Sequence, residues 1–102
     1  MIVRVFRARV RRGKHAEFER MLRKVWIPRV KEQKRLISFY SGGPAGRTAD
    51  GFTMVTVWPD LDAVQASMGS DWETVVIHPE ERLVLRQVSV DHYEVLDSRP
   101  AA

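Results

Sequence analysis

The stretch Ile2-Val3-Arg4-Val5-Phe6-Arg7-Ala8-Arg9-Val10 decides the fold. Side chains on an extended strand alternate between two faces. Ile2, Arg4, Phe6, Ala8 and Val10 therefore share one side, and Val3, Val5, Arg7 and Arg9 share the other. Phe52-Thr53-Met54-Val55-Thr56-Val57-Trp58 reads as a second such strand, rich in β-branched residues and apolar on both sides. Two strands with apolar residues on both sides need cover on both sides, and this requirement organises the rest of the chain.

Working outward, Arg11-Arg12-Gly13 ends the first strand. Residues 14–33 carry a helical stripe of Phe18, Met21, Leu22, Val25 and Val30, with Glu17, Glu19, Arg20, Arg23 and Lys24 on the solvated side. Pro28 has no N–H to donate and crowds the turn before it, so a kink or an early end is expected near Trp26–Ile27. Leu36 to Tyr40 reads as a strand, followed by turn chemistry at Gly42-Gly43-Pro44-Ala45-Gly46 and Asp50-Gly51. Asp60 is an N-cap for a helix with Leu61, Val64 and Met68 on its apolar stripe, and Gly69 ends it. Ser70 and Glu73 are spaced as a capping box, which predicts a short helix to about residue 77, closed before Pro79. Residues 83–96 read as the last strand. Residues 1–96 make one domain, and residues 97–102 a frayed tail.

The order β-α-β-β-α-β is that of an α+β, ferredoxin-like fold with a four-stranded antiparallel sheet. Helices can cover only one face of such a sheet. Val3, Val5, Val55 and Val57, with part of residues 83–90, fall on the other face. Leaving them in water costs ~25 cal/mol per Å². A homodimer pairing two sheets face to face removes that cost.

The 102 residues carry a formal charge of +4, unevenly spread: thirteen Lys/Arg against three acids up to Arg35, and ten acids against three Arg from Asp50 onward. No basic aromatic-studded strand and no recognition-helix signature accompanies the basic half, so nucleic acid is not expected as a partner. There is no cysteine, which excludes disulfides, thiolate metal sites and cysteine nucleophiles. No His/carboxylate spacing suits a metal, and no phosphate loop or Gly-x-Ser-x-Gly elbow is present. A strand at the N-terminus in place of a signal peptide, and no membrane-length apolar run, give a cytoplasmic expectation.

Arg4-Val5-Phe6-Arg7-Ala8-Arg9-Val10 leading to Gly13-Lys14 and Glu17-Phe18, then Phe52 to Trp58 followed by Leu61-Asp62-Ala63-Val64 and Gly69, then His92-Tyr93-Glu94-Val95, together resemble the antibiotic biosynthesis monooxygenase family. The resemblance spans nearly the whole chain. It implies a dimeric α+β barrel with a pocket between each sheet and its helices. It also implies an activity: cofactor-independent monooxygenation of a small quinol, anthrone or polyphenol. Such a substrate, once deprotonated, passes an electron to O₂ itself. The protein supplies an apolar pocket, a proton acceptor and donors for the anion.

The family's haem-degrading members imply a haem alternative. Their Asn position corresponds to Phe6, their Trp position to Ser67, and their His position to Ile77, beside His78. Two of the three groups are therefore replaced. A dimer that binds a small hydrophobic ligand without turnover is a further alternative.

His78 is the candidate base or oxyanion donor, since imidazole titrates near neutral pH; the bland reading is a histidine favoured by a helix C-terminus. Trp26 and Trp72 are candidate pocket walls, or core and lid packing. Phe6 is a pocket floor or core, and Met68 joins this group from the second helix stripe. Arg4, on the face turned to the helices, either pairs with an acid such as Glu94 or binds a substrate anion. His92 and Tyr93 point opposite ways on the last strand, and His15 is expected to be solvated.

Overall fold

A computed structural model describes residues 1–47, 50–75, 77 and 79–99. Its elements are β1 (Ile2–Val10), α1 (His15–Met21), a π-helical turn (Leu22–Trp26), α2 (Ile27–Lys31), β2 (Ser38–Gly42), β3 (Gly51–Trp58), α3 (Leu61–Met68), a 3₁₀ turn (Glu81–Leu83) and β4 (Leu85–Glu94). The strands form one sheet in the order β2-β3-β1-β4, every neighbour antiparallel. This is the expected ferredoxin-like architecture.

Alternation along β1 and β3 works as their sequences require. Val3 lies opposite Val57, Val5 opposite Val55, Arg4 opposite Thr56 and Phe6 opposite Met54. On the helix-facing side Ile2, Ala8, Val10, Phe52, Met54 and Trp58 are buried. The core forms two clusters on that side, one around Phe18, Leu22 and Phe52, the other around Trp58 and Val64. Phe18 meets Phe52 edge-on at 5.1 Å between ring centroids, a favoured aromatic geometry.

On the open side, Val3, Val5, Val55 and Val57 are only half-buried. The register adds Tyr40, paired with Val55, and Tyr93, paired with Val3. The expectation that residues 83–90 enlarge this apolar patch is corrected. Gln87, Ser89 and Asp91 take the open-side places opposite Arg9, Arg7 and Val5. Val88 and Val90 lie opposite Ala8 and Phe6 and face the helices. The patch is apolar at one end of the sheet and polar at the other.

The helix after β1 neither ends nor breaks at Pro28. It continues through the π-helical turn, where the Ile27 N–H donates to the carbonyl of Leu22, five residues back. A proline ring collides with the carbonyl four residues before it, and the wider turn precedes Pro28 directly. Such a bulge adds one residue and rotates the helical turns after it. Val25, expected on the buried stripe, is 39% exposed, while Trp26 packs against the core in its place. In α3, Leu61 is likewise exposed, and Ala63 and Val64 are the buried pair. The Asp60 cap forms as expected, its Oδ1 accepting from the Ala63 N–H at 2.8 Å.

The short helix expected over residues 70–77 is absent from the described part of that segment. Residues 70–73 form turns, and Thr74 closes back onto the Asp71 carbonyl through both its N–H and its hydroxyl, each at 3.0 Å. One turn of helix fixes several residues for a single hydrogen bond. Gly69, at φ +86°, also breaks the lead-in from α3. The extra turn forms later, at Glu81–Leu83. The second and last strands are displaced from expectation, to Ser38–Gly42 and Leu85–Glu94.

The uneven charge is partly matched within the chain. Arg7 pairs with Asp91 (3.1 Å), Arg35 with Asp60 (3.1 Å), and Asp50 lies between Arg9 (3.2 Å) and Arg86 (2.7 Å). Arg86 falls where the register slips between Arg9 and Val10. Exposed pairs of this kind contribute about 0–1 kcal/mol each. They draw basic residues of the N-terminal half to acids later in the chain. Among the described residues no helix is long and apolar enough to cross a membrane.

Candidate active site

Between the sheet and its helices lies a cavity of about 390 Å³, within the roughly 300–1,000 Å³ of small-molecule sites. Its floor is the helix-facing side of β1 and β3: Arg4, Phe6, Met54 and Thr56. Phe18, Leu22, Trp26 and Val30 wall one side, with Arg29 and Gln33 beside them. Ser67 and Met68 come from the end of α3, Asp71, Thr74 and Val75 from the turns after it, and Glu81 from the 3₁₀ turn.

Four of the residues singled out in the sequence, Arg4, Phe6, Trp26 and Met68, thus line one space. Strand alternation delivers the first two, and the π-helical turn delivers the third. Trp72 does not line it. Its ring packs edge-on against His92, 4.8 Å between centroids, and against the cluster around Trp58. His78 lies outside the described residues. His15 is not solvated as expected: it is half-buried, its Nε2 is enclosed, and its ring lies 6.2 Å from that of Phe52.

Arg4 forms no pair with Glu94, which is exposed at the strand end. Its Nε is buried and finds no hydrogen-bond partner among the described residues. Burial alone pulls its guanidinium below the ordinary arginine value, because desolvation disfavours a charge. Directly across β4 is His92. Burial, and after it the Arg4 charge, hold its imidazole below the usual histidine range, with Glu73 and Asp91 pulling the other way. Its Nε2 is also enclosed without a partner.

Sequence reasoning missed several polar groups of the cavity. Thr56 is 2% exposed, and its Oγ1 accepts the Trp58 indole N–H at 2.9 Å. Its signal was available: a lone hydroxyl in the otherwise large apolar row Phe52, Met54, Trp58. Glu81 is 6% exposed, a buried acid that no local pattern announces. Ser67 donates to Gln33 Oε1 at 2.7 Å, tying α3 to the end of the first helical run. Arg29 stacks over the Trp26 ring at 5.5 Å, a favourable cation–π arrangement. The wall is thus apolar over most of its area, with a cation on its floor.

Haem needs an axial ligand, most often histidine, cysteinate, methionine or tyrosinate. Among the described residues that line the cavity, Met54 and Met68 are the ones of these types, and no histidine, cysteine or tyrosine joins them. Phe6 offers no donor toward a bound oxygen species, and the Ser67 hydroxyl is turned to Gln33. Phe6 and Ser67 thus lack two of the groups that the haem alternative calls on. No group of three or more His, Cys, Asp or Glu among them is arranged to hold a metal ion.

No protein-family model matches the chain, and no curated protein matches it in sequence. Solved structures do match its fold. A protein of unknown function from Nitrosomonas europaea superposes with a TM-score of 0.75 at 13% identity, covering 99% of this chain and 94% of its own. SnoaB, a cofactor-independent oxygenase from Streptomyces nogalater, gives 0.72 at 16% identity over 98% and 97%. An MhuD variant with two manganese protoporphyrin IX molecules in each active site gives 0.74 at 18% identity over 99% and 100%. Structures described as antibiotic biosynthesis monooxygenases match equally well. The chain has the fold of the antibiotic biosynthesis monooxygenases, a four-stranded antiparallel sheet roofed on one face by helices.

Proposed function

We propose that this protein is a cofactor-independent monooxygenase of the antibiotic biosynthesis monooxygenase family that oxidises a small quinol, anthrone or polyphenol with O₂. The observation that carries the reading is the cavity: apolar walls of Phe6, Phe18, Leu22, Trp26 and Met54 around the Arg4 guanidinium and the Thr56 hydroxyl. Apolar walls hold a planar aromatic body. The low dielectric strengthens the few polar groups beside it. Among the described lining residues, Asp71 and Glu81 can accept a proton; His78 is the further candidate.

The chemistry balances without another reductant. Loss of a proton gives the substrate anion, and one electron passes from it to O₂. The two radicals join at a ring carbon that bears hydrogen, giving a hydroperoxide. Loss of water then leaves a carbonyl, one oxygen atom entering the product and the other leaving as water.

The open sheet face bears Val3, Val5, Val55 and Val57, with Tyr40 and Tyr93, and supports a homodimer. Burying this patch against a second copy recovers ~25 cal/mol per Å². The proposed setting is the cytoplasm.

Oxygen uptake with a panel of hydroquinones and anthrones tests the activity. The expected result is saturable uptake above autoxidation, one O₂ per substrate and no accumulated peroxide. Ligand binding without uptake by any of them would instead make the protein a binding module. A shifted Soret band on adding haemin would favour the haem alternative.

A further inference from the structure

We infer that Arg4 and Thr56 are the two residues that hold the charged oxygen of the cavity's aromatic ligand. The inference rests on the reading of the cavity as the substrate site and names the residues that hold the substrate's oxygen. Arg4 and Thr56 are direct cross-strand partners on the same sheet face, and such partners have Cβ atoms about 4.5–5.5 Å apart. Both line the cavity floor. The Arg4 side chain forms no ion pair among the described residues, and its Nε is enclosed there without a hydrogen-bond partner. Thr56 Oγ1 already accepts from the Trp58 indole, which leaves its own hydrogen to be donated. A cation and a hydroxyl donor therefore stand side by side on the cavity floor, and among the described residues no carboxylate pairs with the cation.

The other charged groups around this spot do not supply the missing anion. On β4, His92 lies opposite Arg4 and is held toward its neutral form, with Glu73 and Asp91 acting on the imidazole. Glu94 stands exposed at the strand end. From the helix side comes Arg29, a second cation, stacked on Trp26. Asp71 and Glu81 line the cavity from the segment after α3, and no ion pair joins either of them to Arg4 among the described residues. An arriving phenolate would give the Arg4 guanidinium an ion pair that no described residue supplies. Arginine offers several N–H donors in one plane, which suits an anionic oxygen in an apolar wall.

The two influences on a bound phenol have opposite signs. An apolar wall raises its pKa by disfavouring the anion, whereas a neighbouring cation lowers it. The sign is directly readable with 4-nitrophenol, whose phenol and phenolate absorb at different wavelengths and which ionises near neutral pH. The dye is titrated with pH, free and in the presence of saturating protein. The expected result is that the bound dye ionises at a pH lower by about one or more, a tenfold preference for phenolate. Arg4→Met should reverse the sign, Arg4→Lys should keep most of the fall, and Arg7→Gln, on the opposite sheet face, should change nothing. An unchanged or raised pKa for dye bound to the wild-type protein overturns the proposal with no variant needed. So does a fall that survives in Arg4→Met, or an absence of binding. The dye is not turned over, so this result is independent of oxygen uptake. A pKa fall without uptake would remove the oxygenase activity and leave the anion site. Uptake without a fall would do the reverse.

Discussion

The two faces of the sheet are built from the same strands and carry opposite assignments. On the covered face Ile2, Ala8, Phe52, Met54 and Trp58 are buried by helices of their own chain. The open face repeats the β-branched pattern in Val3, Val5, Val55 and Val57, and no described residue covers it. The covered face also holds a cation that a core does not explain, Arg4. A position that alternation assigns to the interior and chemistry assigns to solvent marks a site. The open face has no such conflict: its charges, Arg7 with Asp91 and Arg9 with Asp50, lie at its polar end and are paired. One face is thus read as packing plus ligand, the other as packing alone.

The comparison breaks most visibly in the covered core. Trp58 is 1% exposed and lies outside the cavity lining. Trp58→Ala should cost about 3–5 kcal/mol, and it also removes the indole donor from Thr56. Chemical denaturation measures this, and a loss below about 1 kcal/mol would show that the cluster around Trp58 and Val64 does not hold the fold together.

On the open face, Val55→Asp should act differently. Val55 is half-buried in the single chain, so the monomer should keep its fold at a cost of about 1 kcal/mol. The proposed homodimer should not form, because an unpaired carboxylate would be trapped between two sheets. Light scattering reads the mass. A variant still dimeric at the same concentration would place the interface elsewhere.

The smallest effect is a pH dependence. The His92 imidazole is held below its usual pKa in the folded state. As pH falls through the unfolded value near 6.5, the unfolded chain takes up a proton that the folded chain refuses, so stability drops until the folded value is passed. His92→Gln should flatten the stability profile below about pH 6.5. An unchanged slope would show that His92 does not carry it.

Period-2 alternation makes the sheet legible, and with it Arg4 and Phe6, because a strand's two faces follow from residue parity alone. Helical phase is legible as far as Leu22 and again at Val30, which is buried as the stripe requires. The π-helical turn before Pro28 exchanges Val25 for Trp26, and a bulge of one residue leaves no local mark other than the proline. The segment after Gly69 misleads, since Ser70 and Glu73 have capping-box spacing but Trp72 is drawn onto His92. Glu81 is invisible because its burial depends on a turn brought in from a distant part of the chain. Thr56 is visible as a lone hydroxyl in an apolar row, and only its place opposite Arg4 gives it a role.

The central claim is that the ligand sits on the covered face, on Arg4, and not on the apolar open face. The three tryptophans allow a direct test. Trp26 lines the cavity, whereas Trp58 and Trp72 pack beside it. An amide and indole nuclear magnetic resonance titration with 4-nitrophenol should move the Trp26 indole signal, the Arg4 side-chain signal and the amides of Phe6 and Thr56, and leave Tyr40, Val55 and Tyr93 in place. Shifts gathered on Tyr40, Val55 and Tyr93, with Trp26 and Arg4 unmoved, would contradict the account.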